Sequence, residues 1–352
     1  MDYKQQIEEL VSLIIKEGAS DLHLSVGRPP IIRSSGELIP LVKRAILTAQ
    51  DLQGFADVFL SEKNKKLLED NRDADFSYNM ANARFRGNVF YRQGTLAIAL
   101  RLIPKDIRTL ADLKLPPILE TFTRKPQGFF LVVGPIGQGK STTLAALVEI
   151  INQTRTEHIL TIEDPIEYVF ESKKSIIDQR EVRIDTPDFA DALNAMFRED
   201  IDVCMVGEMR NPETMGTAVT AAETGHLVFS TLHTNNAAQT IDRIIDSFPA
   251  NQQDQIRVQL AGSLTGIFSQ RLIPRISGGL IPAYELLINN NAVSNLVREK
   301  RTHEINTVIE TSSQEGMIDL NRSLAELVRA GEITVESAYL NSLNPKNLER
   351  ML

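Results

Sequence analysis

Between the apolar run Phe129–Val133 and a helical stretch through Thr142, Leu144, Leu147 and Ile150 lies Gly134-Pro135-Ile136-Gly137-Gln138-Gly139-Lys140-Ser141. This segment fits G-x-x-x-x-G-K-[ST] and restricts the fold more than any other feature of the chain. The pattern needs a buried strand before it and a helix after it, so it commits this region to a strand–loop–helix unit. Glycines let the backbone curl until successive N–H groups point at phosphate oxygens, and the helix N-terminus adds roughly half a positive charge. Lys140 is expected to neutralise β- and γ-phosphates and the Ser141 hydroxyl to ligate Mg²⁺. Gly134, Pro135, Gly137, Gln138, Gly139 and Thr142 complete the expected cradle. The alternative is an ordinary Gly-rich turn before a helix.

The loop opens a longer pattern. From Phe129 onward apolar runs (FFLVV, HILTI, DVCMV, HLVFSTL) alternate with helical stretches to Asn152, over 187–199, over 212–223 and after Asn236. Such alternation predicts a parallel sheet with helices on both faces. The last 60 or so residues read as helical, with Leu296, Leu320, Leu324 and Leu327 as core positions. Upstream, Ile7, Leu10, Val11 and Ile14 fall at helical spacing, and Leu22, Leu24 and Val26 alternate as a half-buried strand. Further strands are expected around Ile31 and Leu38, hinged on Ser35-Gly36. A helical stretch from Ala49 to Glu69 precedes a β-rich run from Asp75 to Pro104. The expected division is an α+β domain over 1–104, a proline-bearing linker and docking helix over 105–128, an α/β domain over 129–289, and a helical region over 290–352.

Composition narrows the class. The 352 residues carry 38 Lys+Arg against 46 Asp+Glu, a formal charge of −8, which suits a nucleic-acid partner poorly. One cysteine excludes a disulfide framework and a zinc ribbon. No apolar run reaches the ~18 residues of a membrane span, and the polar start MDYKQQIEEL lacks the marks of a signal peptide. These features predict a cytoplasmic, multi-domain protein.

Hydrolysis at a phosphate loop needs a group that holds or deprotonates water, and parallel sheets present such groups at the carboxyl ends of strands. Two strands end in acids: HILTI before Glu163-Asp164-Pro165, and DVCMV before Gly207-Glu208-Met209-Arg210. Glu208 is the first candidate for base or water positioner, although Gly207 stands where many such enzymes place a magnesium-binding Asp. Glu163 and Asp164 are candidates to support metal or water. Acids that cap strands are otherwise solvated turn residues. His226 and His233 bracket the strand HLVFST seven residues apart, an odd spacing that sends them to opposite faces and argues against a shared metal. His233, at the carboxyl end, is the candidate to sense a γ-phosphate or a neighbouring subunit; a structural histidine is the alternative.

The β-rich run contains Arg84, Arg86 and Arg101. If Gln93-Gly94 is a two-residue turn, Phe85 faces Leu102, Val89 faces Ile98 and Tyr91 faces Leu96. Arg86 then lies opposite Arg101, with Arg84 two residues along. Like charges set opposite each other are unfavourable, so the hairpin is expected to offer them to an anion such as a nucleotide phosphate. Solvation, or pairing with acids elsewhere, is the alternative.

The order GPIGQGKST, TIEDPIEYVF, DVCMVGEMRNPET, TGHLVFSTLHTNNA resembles the secretion and type IV pilus ATPase superfamily, whose Walker A, Asp box, Walker B and His box these segments match. Its Walker B strand ends in Gly-Glu, as here at Gly207-Glu208. The downstream segments RIIDSFPANQQDQIRVQLAGSLTGIFSQRLIP and NNAVSNLVREKRTHEINTVIETSSQEGM resemble its pilus-retraction branch, and the likeness runs from about residue 3 to the end. It implies an α/β chain: an N-terminal PAS-like α+β domain plus a C-terminal RecA-like P-loop ATPase domain with a helical tail. It implies a ring-shaped homohexamer that hydrolyses ATP with Mg²⁺ and drives pilin disassembly through a pilus platform protein at the cytoplasmic face of the inner membrane. An accessory retraction ATPase is a further implied partner. Family roles fall on Lys140 and Ser141, on Glu208 for the water, Glu163 for the Asp box and His233 for the His box. Arg84, Arg86 and Arg101 lie where family members direct arginine to bound nucleotide. Three positions depart: Ser294 stands where the retraction motif has arginine, Asn211 where Asp is usual, and Ile201 where proline is usual. An accessory retraction, extension or secretion ATPase is the neighbouring alternative. A RecA-like nucleic-acid translocase and a non-hydrolysing scaffold are the distant ones.

Overall fold

In a computed structural model of the chain, which describes residues 2–34, 37–80, 83–103 and 106–352, Gln93 and Gly94 take φ of 49° and 77°. Two successive positive φ values make the type I′ turn whose twist suits a hairpin. The register is the expected one: Phe85 pairs with Leu102, Arg86 with Arg101, Val89 with Ile98 and Tyr91 with Leu96.

The chain divides into two compact units, Met1–Asp106 with Glu167–Val169, and Ile107–Ile166 with Phe170–Leu352. The first runs α1 (Tyr3–Lys16), β1 (Asp21–Ser25), β2 (Ile31–Ser34), β3 (Glu37–Pro40), α2 (Ala49–Phe59), α3 (Glu62–Asn71), β4 (Asp73–Met80), β5 (Ala83–Arg92) and β6 (Thr95–Ile103). Its sheet has the order β3-β2-β1-β6-β5-β4. Leu22, Leu24, Phe85, Val89 and Ile98 are buried in one apolar cluster with Ile7, Val11 and Ile14 of α1 and Leu52 and Phe55 of α2. The single helical stretch expected from Ala49 to Glu69 is two helices. Leu60 is extended, and the Ser61 hydroxyl accepts from the Asn64 N–H to cap the second. The expected hinge Ser35-Gly36 and the 104/105 boundary lie outside the described residues.

In the second unit a short 3₁₀ turn, Pro117–Leu119, leads into α4 (Glu120–Thr123). There follow β7 (Gly128–Val133), α5 (Lys140–Thr154), β8 (His158–Glu163), β9 (Ile176–Glu181), α6 (Phe189–Met196), β10 (Val203–Val206), α7 (Pro212–Glu223) and β11 (Leu227–Leu232). Then come α8 (Ala237–Asp246), α9 (Ala250–Ser263), β12 (Leu264–Pro274) and β13 (Leu280–Ile288). The tail is α10 (Asn291–Arg298), α11 (Ile305–Thr311), α12 (Leu320–Arg329), α13 (Val335–Asn341) and α14 (Pro345–Met351). Leu320 and Leu324 are buried and Leu327 packs beside them.

The seven-stranded sheet has the order β13-β12-β7-β11-β10-β8-β9. Two expectations are corrected here. The sheet is mixed, because β13 runs antiparallel to β12. Residues 264–288, expected within the helices after Asn236, form that hairpin, which turns at Gly278 and Gly279 with φ of 89° and 78°. Strand β9 falls in what reads as a polar excursion; it is an edge strand, where one-sided exposure tolerates Asp178, Gln179 and Arg180. Strands β7, β10 and β11 are buried along their whole length. Their registers set Val133 beside Leu232 and Val206 beside both Ser230 and Ile162. The segments that start at Gly134, Glu163, Gly207 and His233 therefore leave one edge of the sheet together. Among the described residues no helix is long and apolar enough to cross a membrane.

Candidate active site

The loop after β7 is shaped by glycine in a way no other residue reproduces. Gly134 has φ 146°, and a Cβ built there would lie 2.4 Å from the Gln270 carbonyl oxygen on β12. Gly137 and Gly139 take φ of 76° and 78°. Lys140 is the first residue of α5, so the helix's unpaired N–H groups open beside the loop. Its ammonium is buried and donates to the carbonyls of Gly134 and Pro135, each at 2.8 Å.

The same ammonium lies 3.3 Å from His233 Nδ1. A lysine ammonium can only donate, so Nδ1 accepts and Nε2 carries the imidazole proton. Nε2 in turn faces Glu208 Oε2 at 3.4 Å. The other Glu208 oxygen meets the Arg210 guanidinium, which raises the arginine's already high pKa. Three sequence-predicted residues, Lys140, His233 and Glu208, are thus one contact chain from helix start to strand end. His226 is elsewhere: its Nδ1 lies 3.1 Å from the Ala221 carbonyl and its ring packs edge-on against Phe197. The two histidines stand at opposite ends of β11, so they share no site.

Glu163 closes β8 and is buried. Thr161 donates to its Oε1 at 2.8 Å and Gln179 of β9 at 3.2 Å. Asp164, one residue on, pairs with Arg183 at 3.3 Å. At Gly207 a built Cβ would lie 3.5 Å from Glu163 Cα, ordinary contact, so the position sits against Glu163. Thr231 fixes this corner by donating to the Gly207 carbonyl at 2.6 Å. Thr161, Gln179, Thr231 and Gln270 are not singled out by the sequence reading. Each is a neutral residue inside a strand, and only the pairing order reveals what it faces.

The structure brings Arg84, Arg86 and Arg101 together on one face of the first unit's sheet. Arg84 reaches Ser77 at 3.5 Å, and Arg86 is exposed. Arg101 takes the alternative of pairing with an acid elsewhere: its Nε donates to buried Asp21 on β1 at 2.8 Å. Asp21 and Arg101 are backbone partners, so the adjacent strand answers the like-charge pair.

Among the described residues no group of three or more His, Cys, Asp or Glu could hold a metal ion.

A family model described as "Type II/IV secretion system protein" matches residues 3–308, most of the chain, including every segment that meets at this edge. The chain belongs to that family. It is a type II/IV secretion system ATPase of α/β fold in two domains, similar over 342 residues, at 43% identity, to the type IV pilus retraction ATPase PilT of Pseudomonas aeruginosa. That match covers 97% of this chain and 99% of the relative. The type IV pilus ATPase PilU of the same organism is 36% identical over 99% of this chain and 91% of its own length. A crystal structure of the pilus retraction motor PilT with bound ADP superposes with a TM-score of 0.92 at 48% identity, covering 98% of this chain and 99% of that one.

Proposed function

We propose that this chain is the ATP-hydrolysing motor of type IV pilus retraction, and hence of twitching motility. The observation that carries it is the Lys140–His233–Glu208 contact chain in a protein similar over nearly its whole length to a pilus retraction motor. In this reading Lys140 exchanges the carbonyls of Gly134 and Pro135 for phosphate oxygens. Gly137, Gln138, Gly139 and Thr142 complete the cradle, and Ser141 holds Mg²⁺, which stabilises charge on the phosphates. Asp164 would help Ser141 to hold that ion. Glu208 accepts a proton from, or orients, the attacking water. Glu163, held by Thr161 and Gln179, supports that water, and His233 reports on the γ-phosphate to which Lys140 turns. Arg86, with Arg84 and Arg101, offers positive charge to a nucleotide bound on another domain or subunit. That domain is PAS-like and spans 1–104, followed by a linker over 105–128, a RecA-like domain over 129–289 and a helical region over 290–352.

The chain works as a homohexamer at the cytoplasmic face of the inner membrane, docks on a pilus platform protein, partners an accessory retraction ATPase and takes no nucleic acid. One observation favours a second reading, the accessory retraction ATPase itself. Ser294, uncharged where the retraction motif has arginine, donates its hydroxyl to Ala261 O at 2.9 Å and Asn289 Oδ1 at 3.1 Å. The deciding experiment is expression in a retraction-deficient cell. The wild-type chain is expected to restore twitching and Lys140→Ala to fail; restoration only when a second retraction ATPase is also present would favour the accessory role.

A further inference from the structure

Strand β12 lies next to β7, and one four-residue stretch of it, Ser269-Gln270-Arg271-Leu272, touches both loops that carry the nucleotide chemistry. Successive side chains of a strand point to opposite faces, and here the two faces grip different things. On the even side, Gln270 Oε1 accepts from the Thr143 hydroxyl of α5 at 2.7 Å and its Nε2 donates to the Gln138 carbonyl at 2.7 Å. The Leu272 N–H donates back to the Gln138 side-chain oxygen at 2.6 Å. The Leu272 side chain sits 3.3 Å from where a Gly139 Cβ would be. On the odd side, the Ser269 hydroxyl donates to the Asn235 carbonyl at 2.9 Å and Arg271 reaches the Asn235 side-chain oxygen at 3.3 Å. Glu285, which pairs with Ser269 across the hairpin, accepts from the Ala237 N–H at 2.7 Å. Asn235 is two residues beyond His233.

The even contacts bear on how the phosphate loop is aimed. In a planar trans peptide the carbonyl and the following N–H point in opposite directions. Drawing the Gln138 carbonyl onto Gln270 therefore turns the Gly139 N–H away from β12. The odd contacts fix the far end of the segment that brings His233 against Lys140. Both sets hang on one strand, so the distance between phosphate loop and His233 loop depends on it.

We propose that Ser269–Leu272 is a two-sided positioning clamp: Gln270 and Leu272 hold the phosphate loop in its binding shape, and Ser269 and Arg271 hold the His233 loop in register with it. The clamp rests on the reading of this edge as the nucleotide site. It predicts that the two faces of a single strand affect different kinetic quantities, which a purely structural strand would not do.

The test measures binding of fluorescent ADP and ATP, turnover at saturating ATP and ligand-free melting on the full chain. Gln270→Glu keeps an acceptor for Thr143 but sets a carboxylate oxygen against the Gln138 carbonyl. It is expected to weaken nucleotide binding about tenfold, equivalent to about 1.4 kcal/mol, with a smaller loss in turnover at saturation. Ser269→Ala and Arg271→Gln are expected to do the reverse, lowering saturated turnover about tenfold with a smaller loss in affinity. Should Arg271→Gln not fold, Ser269→Ala, which removes only a neutral hydroxyl, decides the odd face. The same ratio of affinity loss to turnover loss on both faces, or losses that track the ligand-free melting temperature, overturns the clamp. Lys140→Ala is measured alongside. If it binds nucleotide as wild type does, the nucleotide-site reading has failed; if it loses binding while the clamp variants match wild type, the clamp alone has failed.

Discussion

Glu285 is an ionisable group inside the ATPase unit with no evident part in the chemistry, and it makes stability depend on pH in an unusual direction. It is only 6% exposed. Burial pushes its carboxyl up from 4.5 to about 7, nearby Asp319 adds to the rise, and the Ala237 N–H and Arg271 partly offset it. Between those two values the folded protein holds a proton that the unfolded chain has released. Stability therefore falls as pH rises from about 4.5 to about 7 and is flat above. The gap between 4.5 and about 7, at 1.36 kcal/mol per pH unit, makes the charged group cost about 3 kcal/mol at pH 8. Glu285→Gln keeps an oxygen to accept from Ala237 and cannot ionise. In calorimetric melts from pH 5 to 8 the variant is expected to gain on wild type as pH rises, by on the order of 5–10 °C at pH 8. The cavity beside Glu285 is also lined by Glu310 and Asp319. Parallel melting curves, or a variant less stable at pH 8, would mean that Glu285 does not carry this pH dependence.

Gly134→Ala is expected to abolish nucleotide binding while the first domain still folds, because its Cβ would lie 2.4 Å from a β12 carbonyl; binding by fluorescence checks it. Arg86→Ala and Arg101→Ala should both slow ATP turnover, but only the second should loosen the first domain. Asp21 is pushed up by burial yet held below its ordinary value by Ser20 and Arg101, so losing Arg101 is expected to cost about 0.5–1 kcal/mol in a denaturant titration. Cys204 is fully buried and its thiol is pushed up to about 12; it should resist iodoacetamide in the native protein and react only on unfolding.

The sequence is legible where one local rule decides the outcome. The glycine-bearing loop demanded a strand before it and a helix after it, and β7 and α5 supply both. The Gln93-Gly94 pair set the hairpin register residue by residue. It is illegible where the outcome depends on what comes alongside. The β12 segment LTGIFSQRLIP has apolar residues that suit a helix as well as a strand, and only docking beside β7 makes it a strand. Gln270, Gln179 and Thr231 gain their roles from that docking, since an amide or hydroxyl in an apolar strand carries no mark of its future partner. Alternation put Arg101 opposite Arg86, but Asp21, eighty residues away, reaches it only through the β1–β6 pairing.

In the proposed mechanism the acid at the end of β10 works on the water that attacks ATP. Its most direct test is a single-turnover rapid quench on wild type and Glu208→Gln, with ATP binding measured separately. Glu208→Gln is expected to bind ATP within a fewfold of wild type and to cleave it about 100-fold or more slowly. Cleavage at the wild-type rate would contradict it and remove Glu208 from the chemistry.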